Sequence, residues 1–126
     1  IAALHGSPFG IRAGLIANTV DAMQQLGADP HRMHALLGPS ATGRNMRVSE
    51  AVAADMENRV PHTRSKTPQG QPSVDLRRGI AYQLVQAGLA GVTIDPRCTI
   101  EDPAFFSTYR EGKTGCQAGV IWRSND

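Results

Sequence analysis

Four places in this chain put chemically capable side chains beside residues that let a ligand come close. His5 is followed by Gly6 and Ser7, small residues that would let a metal or substrate approach the backbone at a strand end. A lone imidazole cannot hold a divalent ion, which needs at least three side-chain donors, so by itself His5 reads as a histidine making one hydrogen bond. Gly38-Pro39-Ser40-Ala41-Thr42-Gly43 offers turn-forming residues and hydroxyls that can meet a substrate, or simply turns a strand into a helix. Cys98 is a thiol in the segment directly after a strand, with no base adjacent in sequence, and reads as a small buried hydrophobe rather than a nucleophile. Arg110 carries a planar fork of donors suited to a phosphate or a polar nucleoside oxygen, against the plainer alternative of a surface ion pair with Glu111.

The remaining candidates are weaker. His31 and His34 have metal-like spacing, but a Pro-rich turn holds the first and an apolar run the second, so they are not expected to be co-ligands. His62 and the Arg64-Ser65-Lys66 cluster read as a solvated loop.

Positioning these groups requires a folded core, and 126 residues with 40% hydrophobic and 19% charged side chains are enough for one domain. Thirteen Lys and Arg against 11 Asp and Glu give a formal charge of +2, too balanced for nucleic acid or a membrane surface to be expected partners. Small neutral or anionic molecules fit better, and oligomeric state is left open. Two cysteines in unrelated segments make no disulfide framework, so a reducing cytoplasm is the expected compartment. No apolar run reaches the roughly 20 residues of a membrane helix and no leader pattern is present. The opening Ile1-Ala2-Ala3-Leu4, without an initiator Met, reads as a buried strand continuing from sequence upstream.

From Ile11 the apolar positions Ile11, Leu15, Ile16, Val20, Met23 and Leu26 predict a helix ended by Gly27. Met33 to Leu37 reads as a strand. Ser49 is expected to cap a second helix whose apolar face is Val48, Val52, Met56 and Val60, ended by Pro61. Pro61 to Pro72 reads as a loop with room for a short edge strand. Asp75 caps a third helix with Leu76, Ile80 and Leu84 inward and Gly88 as its stop, and Val92-Thr93-Ile94 and Ala118 to Trp122 read as strands. Strand alternating with helix, then two strands joined by a long loop, predicts an α+β fold: a mixed β-sheet with helices packed on it.

Arg97-Cys98-Thr99, Asp102-Pro103, Phe105-Phe106-Ser107 and Arg110-Glu111-Gly112-Lys113-Thr114-Gly115 form an ordered series that generic packing does not require. With His5-Gly6 and Gly38-Pro39 it resembles the YfiH-like or laccase-domain family, also known as polyphenol oxidases and peptidoglycan editing factors. The resemblance covers nearly the whole chain but only the C-terminal half of that family's domain. It implies an α+β fold and a zinc site in which His5 is one of three ligands, the other two lying in the upstream half. It further implies phosphorolysis of purine nucleosides and adenosine deamination, with peptidoglycan-precursor editing as another role. On the matching motifs Arg110 would be the catalytic, substrate-orienting residue, and Gly38 and Pro39 would line the substrate pocket.

The chain departs from the family pattern where Ser7-Pro8-Phe9 replaces a Gly-Trp-Arg segment, where Thr108 and Tyr109 replace Tyr and Arg, and where Cys116 replaces an arginine. Each lost arginine removes a donor suited to anions. Two alternatives stand beside the zinc enzyme. A copper-dependent phenol oxidase would need clustered His and Cys ligands that four scattered histidines do not offer. A non-catalytic segment that binds small polar ligands is the other.

Overall fold

The computed structural model describes residues 1–125. Its elements run α1 (Pro8–Arg12), α2 (Leu15–Gln25), a short 3₁₀ turn (Pro30–Arg32), β1 (His34–Leu37), α3 (Glu50–Arg59), β2 (Arg64–Lys66), β3 (Pro72–Val74), α4 (Leu76–Gln86), β4 (Gly91–Ile94) and α5 (Thr108–Glu111). The architecture is α+β, with the parallel and antiparallel pairings in separate small sheets. β1 pairs in parallel with β4, His34 opposite Gly91 and Leu37 opposite Ile94. β2 and β3 form an antiparallel hairpin, Arg64 opposite Val74.

Local chemistry explains the helix limits. Ser7 accepts from the Gly10 N–H at 3.0 Å and Pro8 takes the first helical position, so the segment read as a loop starts a helix. Gly14, at φ 95°, then breaks what the apolar spacing predicted as one helix into α1 and α2. Both α2 and α4 end in the same motif. After α2 the N–H groups of Gly27 and Ala28 return to the carbonyls of Gln24 and Met23, and after α4 those of Gly88 and Leu89 return to Val85 and Leu84. Ser49 and Asp75 cap α3 and α4 through the N–H groups of Val52 and Arg78, as their sequence context predicts.

Ile11, Ile16, Met46, Ala53, Met56, Val60, Val74, Leu76 and Leu84 form one buried cluster, with Ala35, Leu37, Ile80 and Val92 packed against it. α3 turns Ala53 and Met56 inward and its cap residue Val60 is buried, with Val48 packed against the core, so of the predicted stripe only Val52, 48% exposed, misses the buried face, which takes Ala53 instead. Four residues overshoot a 3.6-residue turn by about 40° each step, and a 3-4 alternation tracks the core better.

Two predicted strands are corrected. Ile1–Leu4 and the 118–122 stretch carry no strand; Ile1 is 66% exposed and Trp122 75% exposed. Apolar, β-branched residues make a strand only where a neighbouring chain completes the ladder, and among the described residues no strand pairs with either segment. The Pro61 to Pro72 stretch holds the short strand its sequence left room for, β2, which pairs with β3 across a loop to form the hairpin.

Candidate functional site

Parallel strands deliver their following loops to one edge, where open α/β sheets commonly bind ligands. Here the loop after β1 holds Gly38, Pro39 and Ser40, and the loop after β4 holds Asp95, Arg97 and Cys98. Backbone pairing runs past the strands: Asp95 N–H donates to the Leu37 carbonyl at 2.8 Å, Thr99 N–H donates to the Ser40 carbonyl at 3.1 Å, and Ser40 bridges Cys98.

Three guanidiniums organise this edge. Arg77, in the first turn of α4 and only 7% exposed, donates to the Ser40 hydroxyl at 2.8 Å, to the Ser40 carbonyl at 2.7 Å, and to the carbonyls of Asp95 and Arg97. Arg97 forks onto its near neighbour Asp95 at 2.7 and 3.0 Å and lies 5.0 Å from the centroid of the Phe105 ring. That side-chain pairing, reinforced by the Arg97 N–H, holds the Asp95 carboxyl down to about 2. Arg110, at the end of the chain's last helix, donates to the carbonyls of Thr99 at 2.9 Å, Ile100 at 3.0 Å, Asp102 at 3.2 Å and Phe105 at 2.6 Å, and to Glu111 at 3.0 Å. Both terminal nitrogens are therefore committed to ordering the 99–111 loop.

Cys98 lies beneath these loops, 5% exposed. Burial pushes its thiol up, but the Thr42 hydroxyl at 3.4 Å and the N–H groups of Thr42, Glu101 and Ile100 favour the thiolate and bring it down to about 7. Asn45 reaches both this sulfur, at 3.5 Å, and Glu101, at 2.7 Å. The groups that bond this sulfur are donors, and no histidine is among them.

Gly38, Pro39 and Arg110 thus belong to one edge, Gly38 exposed and Pro39 half-buried. A side chain at Gly38 would meet nothing within 4 Å, and its φ is not positive, so neither close packing nor backbone conformation explains the glycine. His5 is exposed and sits in the turn before α1, its carbonyl accepting from Ser7 N–H at 3.0 Å. The hydrogen bonds that gather the strand-edge loops do not include it. The other histidines are dispersed: His31 lies against Gly88, His34 against Gly91, and His62 against Tyr82 with 4.4 Å between ring centroids. Among the described residues no three of His, Cys, Asp or Glu come together in a way that could hold a metal ion. These residues alone do not make a metal centre.

Arg77 is the functional candidate that sequence reasoning passed over. The signal was present, since Arg77, Ile80, Ala81 and Leu84 lie at the i, i+3, i+4 and i+7 positions of the inward stripe of α4, where an arginine is out of place.

An α+β unit whose loops converge beyond a parallel strand pair, with a half-buried Gly-Pro turn and an Arg-rich margin, defines the structural class. The chain belongs to the family described as multi-copper polyphenol oxidoreductase laccase, whose model matches residues 1–124. It is 46% identical over 122 residues to a purine nucleoside phosphorylase of Corynebacterium glutamicum, covering 97% of this chain and 50% of that protein. It is 41% identical to a purine nucleoside phosphorylase of Mycobacterium tuberculosis over 96% of this chain and 48% of that protein. Among solved structures it resembles protein NMB0706 of Neisseria meningitidis, with TM-score 0.74, 27% identity, and coverage of 86% of this chain and 46% of that one. It also resembles the hypothetical protein YfiH of Bacillus licheniformis, with TM-score 0.72, 25% identity, and coverage of 86% and 44%. The chain spans about half the length of these relatives.

Proposed function

We propose that this chain forms the C-terminal half of a YfiH-type domain and contributes one wall of the site of a purine nucleoside phosphorylase. The observation that carries the reading is the 46% identity, along 97% of the chain, to a protein of that name. Exposed apolar surface supports the half-domain part. Leu36, on the outer face of the parallel pair, is 73% exposed, Val120 79% and Trp122 75%. Parallel strands are ordinarily covered on both faces, so a further layer is expected over β1 and β4.

In the proposed reaction a phosphate oxygen bonds to the ribose anomeric carbon as the bond to the purine nitrogen breaks. The bond's electrons leave with the base, and the phosphate's proton ends on that nitrogen. Gly38 and Pro39 line the pocket, and Arg110 serves substrate by holding the 99–111 loop in shape, since its terminal N–H groups already serve that loop and Glu111. His5 is the proposed metal donor, to zinc with copper as the alternative, its partner ligands coming from outside these residues. A metal with an open position would supply a polarised water or substrate oxygen.

The test uses the full-length protein, with phosphate-dependent release of hypoxanthine from inosine and adenine from adenosine as the readout. Stoichiometric ribose 1-phosphate supports the phosphorylase; ammonia from adenosine would add deamination, and trimming of peptidoglycan precursors would add the editing role. Absence of base release alongside copper-dependent oxidation of a phenolic dye would overturn the reading, and His5→Ala should lower bound metal whichever metal is found.

A further inference from the structure

We propose that Arg77 is a positioning residue for this reaction, the clasp that sets the spacing between the loop after β1 and the loop after β4. The inference rests on the phosphorylase reading and deepens it. Arg77 is buried on the inward stripe of α4, where an apolar side chain would pack at lower cost. It also stands in the first turn of that helix, where the dipole disfavours a cation. Its acceptors are three backbone carbonyls and one hydroxyl, none of them charged, and the nearby Asp95 carboxylate, which is hydrogen-bonded to Arg97, interacts with it only through space. What the residue does is geometric. One planar group binds Ser40 on one loop and Asp95 and Arg97 on the other, fixing the gap between two chain segments that leave neighbouring parallel strands.

Its neighbour supplies the control. Arg78 is exposed and donates to the carbonyls of His62 at 2.6 Å and Arg64 at 2.5 Å, clamping the hairpin rather than the strand edge. Two adjacent arginines on one helix thus grip two different parts of the molecule.

The experiment compares Arg77→Met, Arg77→Lys and Arg78→Met in the full-length protein, measuring kcat and KM for inosine and phosphate together with amide hydrogen exchange. Arg77→Met is expected to raise KM for the nucleoside about tenfold, and Arg77→Lys to recover little of it, since one ammonium cannot span acceptors on two loops. Arg78→Met should stay within about twofold of the parent. Exchange should quicken at 38–43 and 95–99 in the Arg77 variants and remain unchanged there in Arg78→Met. Equal kinetic effects in Arg77→Met and Arg78→Met, or unchanged KM with a general loss of protection, would overturn the proposal. If Arg77→Met does not fold, the lysine variant decides. If the parent releases no base, the phosphorylase reading fails, and the exchange pattern still decides whether Arg77 clasps the two loops.

Discussion

The scaffold of α3, the β2–β3 hairpin and α4 is held chiefly by apolar contact, whereas the loops beyond β1 and β4 are held chiefly by guanidinium groups on carbonyls. In the scaffold Ala53, Val60 and Val74 are almost wholly buried, and the polar devices are the exposed Arg78 clamp on the hairpin and the carboxylate of Glu57. That carboxylate accepts from the N–H groups of Arg64 at 2.8 Å and His62 at 3.0 Å, which stabilise its charge and hold its carboxyl below the ordinary range. At the strand edge, Arg77 and Arg110 between them gather carbonyls from residues 40 to 105. Apolar burial is strong but has no preferred direction, while a guanidinium specifies where each acceptor must stand. A region that must place groups for chemistry therefore gains from the second kind of support.

The contrast can be broken most forcefully in the scaffold. Met56→Ala removes a side chain that is 5% exposed and should cost about 2–5 kcal/mol in urea unfolding, with loss felt across the chain. Next, Gly79→Ala places a methyl against Thr63 and 2.9 Å from Val60, and should cost about 1–3 kcal/mol by thermal unfolding. Leaving its stability unchanged would show that α4 and the hairpin are less tightly apposed than described. At the edge, Arg110→Met should cost on the order of 1 kcal/mol, because the freed carbonyls can turn to water. Its signature is faster amide exchange confined to 99–111, with α3 and α4 unaffected.

The smallest effect concerns acid. Asp95 has a folded value of about 2, below its ordinary value of 3.8, so its pairing with Arg97 stabilises the fold above the ordinary value and is lost as pH falls towards 2. Asp95→Asn should lower thermal stability at neutral pH, where the pairing is complete, and flatten its pH dependence between those limits. An undiminished acid transition would place the sensitive carboxylate elsewhere.

Legibility in the sequence followed the range of the interactions. Ser49, Asp75, Gly27 and Gly88 announced helix ends because a cap acts within a few residues of itself. The break at Gly14 went unread because its apolar neighbours carry an uninterrupted helical period on either side. Val120, Ile121 and Trp122 have strand-forming side chains and no strand, since pairing is a property of two segments. Within the candidate site, Gly38, Pro39 and Cys98 were visible as loop residues after strands, whereas Arg77 was legible only as an oddity on an apolar stripe.

Composition and periodicity by themselves determined that this chain builds an α+β core and where its principal helices stop, and the resemblance to the family singled out the motifs that stand in its loops. Tertiary structure alone decided that Ser40, Asp95 and Arg97 share one arginine, that Arg110 spends its terminal N–H groups on the backbone, and that His5 lies in a turn outside that network. The division has a physical cause. Caps and helical stripes are satisfied by neighbours along the chain, but a side chain's hydrogen-bond partners are fixed only when distant segments are brought within about 3 Å of one another.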